Sequence, residues 1–315
     1  MGAKVFIDGE TGTTGLQIRE RLEARTDIKL LSIEPDLRKD IDARRSCLNS
    51  ADAVILCLPD QAARDAVALI ENPDVRVIDA STAHRVDSTW DYGFPELAPG
   101  QREAIRRSRR VSNPGCYPTG FLALIRPLVD LGLVPVDWPL SVNAVSGYSG
   151  GGKSMIADFE DQTSNGYTRT AFRPYALSLS HKHVPEMRKY AGLTHRPLFA
   201  PAVGRFRQGM IVEAPLHLTA LPDRPSVFDI HHALEMAYRD EPFVEVVGLD
   251  IVESTTVLDP ETLNGTNRLV LWVFHDAAGE QVRLVAVLDN LGKGASGAAV
   301  QNLNLMLGLG EAVGL

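Results

Sequence analysis

Cysteine is scarce in this chain: three in 315 residues, at positions 47, 57 and 116. So small, odd and scattered a set excludes a disulfide framework and suits a reducing compartment. No apolar run approaches the ~20 residues that cross a bilayer. Met1-Gly2-Ala3-Lys4 leads straight into a strand-like segment, without a signal-peptide pattern. The expected location is the cytoplasm, with no membrane partner. A basic face is lacking as well. Thirty-two Lys and Arg stand against 40 Asp and Glu, a formal net charge of −8. The one dense basic run, R-R-S-R-R at 106–110, reads as a solvated helix end, so no nucleic-acid partner is expected. Internal repeats and low-complexity segments are absent. What is present, 44% hydrophobic and 23% charged residues, is ordinary for a globular protein long enough for two domains.

In the first third, apolar runs alternate with amphipathic ones. K-V-F-I-D (4–8), I-K-L-L-S-I (28–33), A-V-I-L-C-L (53–58) and V-R-V-I-D-A (75–80) read as strands, with helical patterns at 14–25 and 60–71. Near-continuous Val/Ile/Leu character predicts a parallel sheet covered on both faces, a doubly wound Rossmann-type α/β domain. After about residue 140 the rhythm changes. Strand candidates at 141–148, 210–220, 243–249, 269–275 and 282–289, with few helices besides 227–240, predict an α+β domain with a mixed, largely antiparallel sheet. The last helical pattern, 294–309, is expected to pack back on the first domain. The expected domains are 1–115, joined by about 293–315, and 116–292.

The first strand runs into G-E-T-G-T-T-G, Gly9 to Gly15. Glycines at a strand–helix turn let a pyrophosphate approach backbone N–H groups at a helix N-terminus. The G-x-x-G-x-x-G spacing differs from the commoner G-x-G-x-x-G. Glu34, after the second strand, would accept from a ribose 2′-hydroxyl and favour NAD; the basic pair Arg38 and Lys39 would hold a 2′-phosphate instead. Local chemistry leaves both open.

S-N-P-G-C-Y-P-T-G, Ser112 to Gly120, places Cys116 at the start of a helix predicted near Pro118 or Thr119. Pro suits a first turn, and the positive end of a helix dipole favours a thiolate nucleophile. Cys47 and Cys57 read as buried fillers. Of eight histidines, two stand in S-H-K-H-V-P-E (180–186). In an extended segment His181 and His183 would point to opposite sides, only one toward the thiol. No ligand cluster with suitable spacing extends this pair, so no metal is expected. S-G-Y-S-G-G-G-K (146–153) is a cradle for phosphate or carboxylate. Gly147–Ser154 also matches the Walker A pattern, but a P-loop belongs to a parallel βαβ unit, and the first domain already supplies a nucleotide site.

Together these motifs resemble the N-acetyl-γ-glutamyl-phosphate reductases of arginine biosynthesis, in their shorter branch, over nearly the whole chain. N-P-G-C-Y-P-T (113–119) is similar to the family's catalytic-cysteine motif. H-K-H-V-P-E resembles H-R-H-x-P-E, with Lys182 for Arg, and S-G-Y-S-G-G-G-K resembles S-G-x-S-G-A-G-R, with Lys153 for Arg. Y-G-F-P-E-L (92–97) and D-N-L-G-K-G-A (289–295) resemble two further motifs. The first loop departs from the common G-A-S-G-Y-A-G, which weakens transfer of individual nucleotide contacts.

The resemblance implies a homo-oligomeric oxidoreductase, dimer or tetramer, that reduces an acyl phosphate to a semialdehyde with NADP(H) through a cysteine thioester. It implies Cys116 as nucleophile, His181 in preference to His183 as acid/base, and Glu186 orienting it. Gly9, Thr11, Gly12, Thr13, Thr14 and Gly15 would hold the cofactor, with Arg38, Lys39 and Ser81 beside them and Asn290 and Lys293 on the nicotinamide side. Asn113, Ser146, Gly147, Ser149, Gly150 and Lys153 would hold substrate and phosphate. The same cysteine logic also serves aspartate-semialdehyde dehydrogenases and aminoadipyl-phosphate reductases. Outside this class stand a P-loop kinase, indifferent to Cys116 alkylation, and a nucleotide-sensing regulator without turnover.

Overall fold

The computed structural model describes residues 2–38 and 40–315. The chain divides into two compact units. One runs from the N-terminus to Pro95 and includes Pro99–Gly115 and Ala295–Leu315; the other comprises Glu96–Ala98 and Cys116–Gly294.

The first unit is built on strands β1 (Ala3–Asp8), β2 (Ile28–Leu31), β3 (Ala53–Leu56), β4 (Arg76–Asp79), β5 (Asp91–Tyr92) and β6 (Arg110–Ser112). Their order is β2-β1-β3-β4-β6-β5, and every pairing is parallel. All four residues of β3 are buried, as a sheet covered on both faces requires. Helices α1 (Thr13–Glu23), α2 (Ile41–Ser50), α3 (Asp60–Ala68) and α4 (Gln101–Arg107) connect the strands. The predicted second strand stops at Leu31, because Pro35 opens a 3₁₀ turn over Pro35–Leu37.

The second unit carries β7 (Ser141–Gly147), β8 (Phe172–Pro174), β9 (Leu198–Gly204), β10 (Met210–His217), β11 (Val244–Val246), β12 (Leu269–His275) and β13 (Gln281–Leu288), in the order β11-β12-β13-β10-β7-β9-β8. Four of its six pairings are antiparallel, so the sheet is mixed and largely antiparallel as predicted. Helices are more numerous than the sequence suggested. Besides α5 (Cys116–Asp130) and α8 (Val227–Tyr238) there are α6 (Gly152–Glu160), α7 (Val184–Tyr190) and α9 (Leu249–Ser254). The three unforeseen helices are at most nine residues long, too short for apolar periodicity to declare itself.

Strand β9 was hidden by Pro197 just before it and Pro201 within it. Its ladder with β8 ends at Ala202, so Pro201 lies just beyond that pairing. Helix α5 is buried along almost its entire length against this sheet. A Cβ at Gly120 would stand 2.9 Å from Val212, so helix and strand meet at their closest at that glycine.

The final helix, α10 (Gly297–Met306), follows a π-helical turn at Gly292–Ser296. It is buried throughout, and Ala299, Val300, Leu303 and Leu305 join Val5, Ile55 and Ile78 in the core of the first unit. Leu303→Ala is therefore expected to lower the stability of that unit by ~2–5 kcal/mol, measured by urea unfolding.

Candidate active site

The first βα turn, within the first unit, is shaped by backbone contact. Gly9 has φ +92°, and a Cβ there would stand 2.3 Å from the Cys57 carbonyl oxygen; a Cβ at Gly15 would meet the Gly9 carbonyl oxygen at 2.5 Å. The Gly12 N–H donates to Gly9 O (3.0 Å), and helix α1 begins at the next residue, Thr13. The Thr13 hydroxyl oxygen is buried at this helix N-terminus without a hydrogen-bond partner among the described residues. A tight glycine turn, a helix dipole and an orphaned hydroxyl form a socket that fits a dinucleotide pyrophosphate. Thr11 is exposed and Thr14 half-buried on the same turn.

Beside this turn, Arg38 Nη2 donates to Glu10 Oε1 (2.8 Å), and Glu10 also pairs with Arg19. Arg44 on α2 pairs with Asp8 at the end of β1 (2.8 Å), a contact that no sequence motif marked. Lys39 lies outside the described residues. Ser81 is buried and turned onto Asp79, donating both its N–H (2.9 Å) and its hydroxyl (2.8 Å). His84 joins the same carboxylate at 2.6 Å and stacks on Trp90.

Asn113 belongs to the first unit and is 1% exposed. Its amide donates to the Ala295 carbonyl (3.0 Å) and accepts from Asn302 (3.1 Å), while Arg85 holds the Asn113 carbonyl oxygen (2.9 Å). The side chain expected to hold substrate is engaged at both ends in fixing the chain.

Cys116 is the first residue of α5, two or three positions before the predicted start at Pro118 or Thr119. Its thiol therefore sits where unsatisfied helix N–H groups and the helix dipole favour a thiolate and a developing oxyanion. Gly294 packs directly on it: a Cβ at position 294 would stand 2.8 Å from the Cys116 Cβ. Cys57 is the chemical opposite. Burial, with the charges of Asp79 and Asp8, pushes its thiol up to about 12, so it stays protonated and inert.

Next to the thiol, Tyr117 accepts a hydrogen bond from Tyr175 (3.0 Å) and approaches the Ala202 carbonyl oxygen (3.4 Å). Burial, then the charges of Tyr175 and Cys116, raise the Tyr117 phenol well above its ordinary value. Burial pushes Tyr175 up to about 12, so both remain neutral hydroxyls.

The two histidines do not lie in an extended strand. They occupy the turn that leads into α7, and their rings stand together, centroids 4.7 Å apart. Both lie near Tyr117, at 5.9 Å for His181 and 5.8 Å for His183. A turn reverses the alternation of a strand, which is why both rings come to one side. The His183 backbone N–H donates to His181 Nδ1 (3.1 Å), so a neutral His181 carries its proton on Nε2. Glu186 is buried in the first turn of α7. Tyr117 and Tyr175 were missed as site residues. The first was visible inside the cysteine motif, and the second had no sequence signal.

The serine–glycine loop, 146–153, follows β7. Its first three N–H groups are already engaged: Gly147 donates to Gly209, Tyr148 to Phe206 and Ser149 to Arg207. Strand β7 does pair in parallel with β9, contrary to the expectation that a parallel setting was lacking. These three bonds engage the N–H groups of the first half of the Gly147–Ser154 pattern. Ser146 is buried, its hydroxyl donating to the Gly147 carbonyl oxygen (3.1 Å); Ser149 accepts from Asn290 (3.1 Å), whose amide oxygen accepts from Gly209 N (2.8 Å). Asn290 thus belongs to this loop. Gly150 and Lys153 are exposed. Lys293 is 1% exposed, its ammonium 2.7 Å from Glu96. Among the described residues no cluster of His, Cys, Asp and Glu could hold a metal ion, and no helix is long and apolar enough to cross a membrane.

Both units match domains of the semialdehyde dehydrogenases, and that is the class to which the chain belongs. Residues 4–107 match the semialdehyde dehydrogenase NAD binding domain, and 116–290 its dimerisation domain. The fold agrees with aspartate semialdehyde dehydrogenase II of Vibrio cholerae complexed with ASA (TM-score 0.70, 16% identity, 98% of both chains). It also agrees with the Candida albicans aspartate semialdehyde dehydrogenase with NADP (TM-score 0.65, 13% identity, 98% of this chain and 99% of that one). At such identities the likeness shows the fold alone.

Relatives close in sequence specify the family. The N-acetyl-gamma-glutamyl-phosphate reductase of Trichormus variabilis is 53% identical over 99% of both chains, and that of Brucella ovis 54% identical over 98% of this chain and all of its own. The chain belongs to the N-acetyl-gamma-glutamyl-phosphate reductase family.

The socket at the first turn carries its own test. Thr13→Val is isosteric and removes only the orphaned hydroxyl. It should leave the melting temperature unchanged or raised while weakening NADPH binding at least about tenfold, measured by nucleotide fluorescence titration.

Proposed function

We propose that the chain catalyses the reversible, NADPH-dependent reduction of N-acetyl-L-glutamyl 5-phosphate to N-acetyl-L-glutamate 5-semialdehyde and phosphate. The observation that carries this reading is Cys116 as the first residue of a buried helix, in a chain 53% identical to a reductase of that name. The Cys116 thiolate attacks the acyl carbon, the C–O bond to phosphate breaks, and a thioester remains on the sulfur. NADPH, when bound, supplies the hydride that converts the thioester carbon to a thiohemiacetal. His181 donates and recovers protons through Nε2, oriented by the His183 N–H on Nδ1, and the buried Glu186 would help to orient it. Collapse of the thiohemiacetal breaks the C–S bond and frees the thiol with the semialdehyde.

Gly9, Gly12, Thr13 and Gly15 would hold the pyrophosphate, and Arg38 the 2′-phosphate that distinguishes NADP from NAD. The exposed Lys153 and the Gly150–Gly152 turn would receive the departing phosphate. Three unbridged cysteines suit a reducing compartment such as the cytoplasm. Cys116→Ser should lower phosphate-dependent NADP reduction with N-acetylglutamate semialdehyde by roughly 10⁴-fold or more while NADPH still binds. Normal turnover in that variant would sink the reading. Equal activity with aspartate semialdehyde would move it to the neighbouring acid.

The second sheet also supports assembly into a homodimer. Away from α5, a cavity of about 470 Å³ lies between Asn143, Val145, Ala200 and Glu213 and the overlying Phe172 and Leu177. Phe172, Leu177 and Leu179 are 58%, 79% and 55% exposed, an apolar patch inside the region that matches a dimerisation domain. A second copy of this chain is the occupant that this match favours. The double substitution Leu177→Asp/Leu179→Asp should shift the protein to a monomer in sedimentation or light scattering. A monomeric wild-type chain would overturn the assignment.

A further inference from the structure

The K-G-A turn after β13 places a buried cation one residue away from Gly294, which packs on the nucleophile. Lys293 is 1% exposed and Glu96 fully buried, their charged atoms 2.7 Å apart, with the Lys293 ammonium 5.4 Å from the centre of the Phe243 ring. Glu96 comes from the three-residue segment Glu96–Ala98, which joins the second unit from a distant part of the sequence. A charge taken out of water to this degree is held where its partner is, because moving away leaves it unpaired. The same turn is clamped on its other side. The Gly294 N–H donates to the Asp289 carbonyl oxygen (2.9 Å). The Asp289 carboxylate accepts from Gly265 N, Leu291 N and Gln208, and a Cβ at Gly292 would collide with the Thr266 carbonyl oxygen at 2.1 Å. Between these clamps lies Gly294, against the Cα and Cβ of Cys116 at 3.3 and 2.8 Å from where its own Cβ would stand.

We infer that Lys293 is a positioning residue for Cys116: through its ion pair with Glu96 it presses the Gly294 backbone onto the nucleophile and fixes the thiol, instead of contacting the nicotinamide. The inference rests on Cys116 being the acyl carrier. A buried ammonium engaged with a buried carboxylate is poorly suited to a ligand, whereas its main chain leads into the one residue whose missing side chain admits Cys116. Small displacements matter at such a place, since a misplacement of about 1 Å can cost ~100-fold in rate.

The test uses the full chain and reads Cys116 directly, by its rate of alkylation with iodoacetamide followed by peptide mass spectrometry, beside kcat, KM and NADPH affinity. In Lys293→Met the alkylation rate and kcat should fall together, by about tenfold or more, with NADPH affinity and substrate KM little changed. Lys293→Arg should recover part of both. Weakened NADPH binding with normal alkylation would overturn the inference and return Lys293 to the cofactor. Loss of activity that follows thermal stability alone, with normal alkylation of the folded fraction, would overturn it equally. Should Lys293→Met fail to fold, Gly294→Ala keeps the ion pair and adds one methyl group against Cys116. It should lower alkylation and kcat at unchanged NADPH affinity, and unchanged alkylation there would refute the inference. An active Cys116→Ser variant would instead sink the acyl-carrier reading itself, so the two failures are distinguishable.

Discussion

The burial of helix α5 across the second sheet governs the geometry of everything proposed for the nucleophile. From Tyr117 to Val129 only Arg126 escapes burial, so the helix can neither slide nor turn without exposing apolar surface on the order of 25 cal/mol per Å². Gly120 sharpens this constraint, since its contact with Val212 fixes both depth and rotation. A helix so held presents its first residue at one place. The sulfur of Cys116 is thereby positioned by packing many residues away, and its chemistry comes from the helix end itself, with N–H groups that no preceding turn satisfies.

Around that helix start the side chains form a shell with little charge. Tyr117 and Tyr175 are locked as neutral hydroxyls, and the rings of His181 and Phe199 pack edge to face on Tyr117, with that of His183 tilted against it. Low-dielectric surroundings strengthen the dipoles that act on a thiolate or an oxyanion. They also raise the cost of any stray charge, so the buried Lys293 ammonium stays on the Glu96 carboxylate. At Gly294 the main chain that carries Lys293 packs on the nucleophile.

The legible parts of the fold and the site were those with a local cause. Glycines at the first turn and a cysteine before a proline-containing helix start announce themselves over a handful of residues, because turn and helix-end chemistry is local. Four of the six strands of the parallel sheet were visible as apolar runs; β5 and β6, two and three residues long, were not. Strand β9 was not, since P-L-F-A-P-A-V-G looks like a loop until the ends of its ladders are known. The turn at His181–His183 misled for a related reason: alternation is a rule for strands, and nothing in S-H-K-H-V-P-E states that the chain reverses there. Tyr175 and Tyr117 lie 58 positions apart, and Glu96 and Lys293 197 apart. Such pairings follow from the packed fold and leave no trace in spacing.

The buried amides separate two kinds of residue that motif reading treats alike. Asn113 and Asn290 both stand in short motifs, and both were natural candidates for ligand contact. In each, donor and acceptor are engaged by the protein: Asn113 by Ala295 and Asn302, Asn290 by Ser149 and Gly209. An amide carries two N–H donors and two acceptor lone pairs, so one bond at each end fixes its orientation, and turning it toward a phosphate would break such a bond at a cost of about 1–3 kcal/mol. Thr13 is the reverse case, a buried hydroxyl that the described residues leave without a partner. A ligand that supplies an acceptor there recovers that cost on binding. The motif residues held by the fold keep the loops in shape, and the hydroxyl it leaves unsatisfied marks where a ligand gains most.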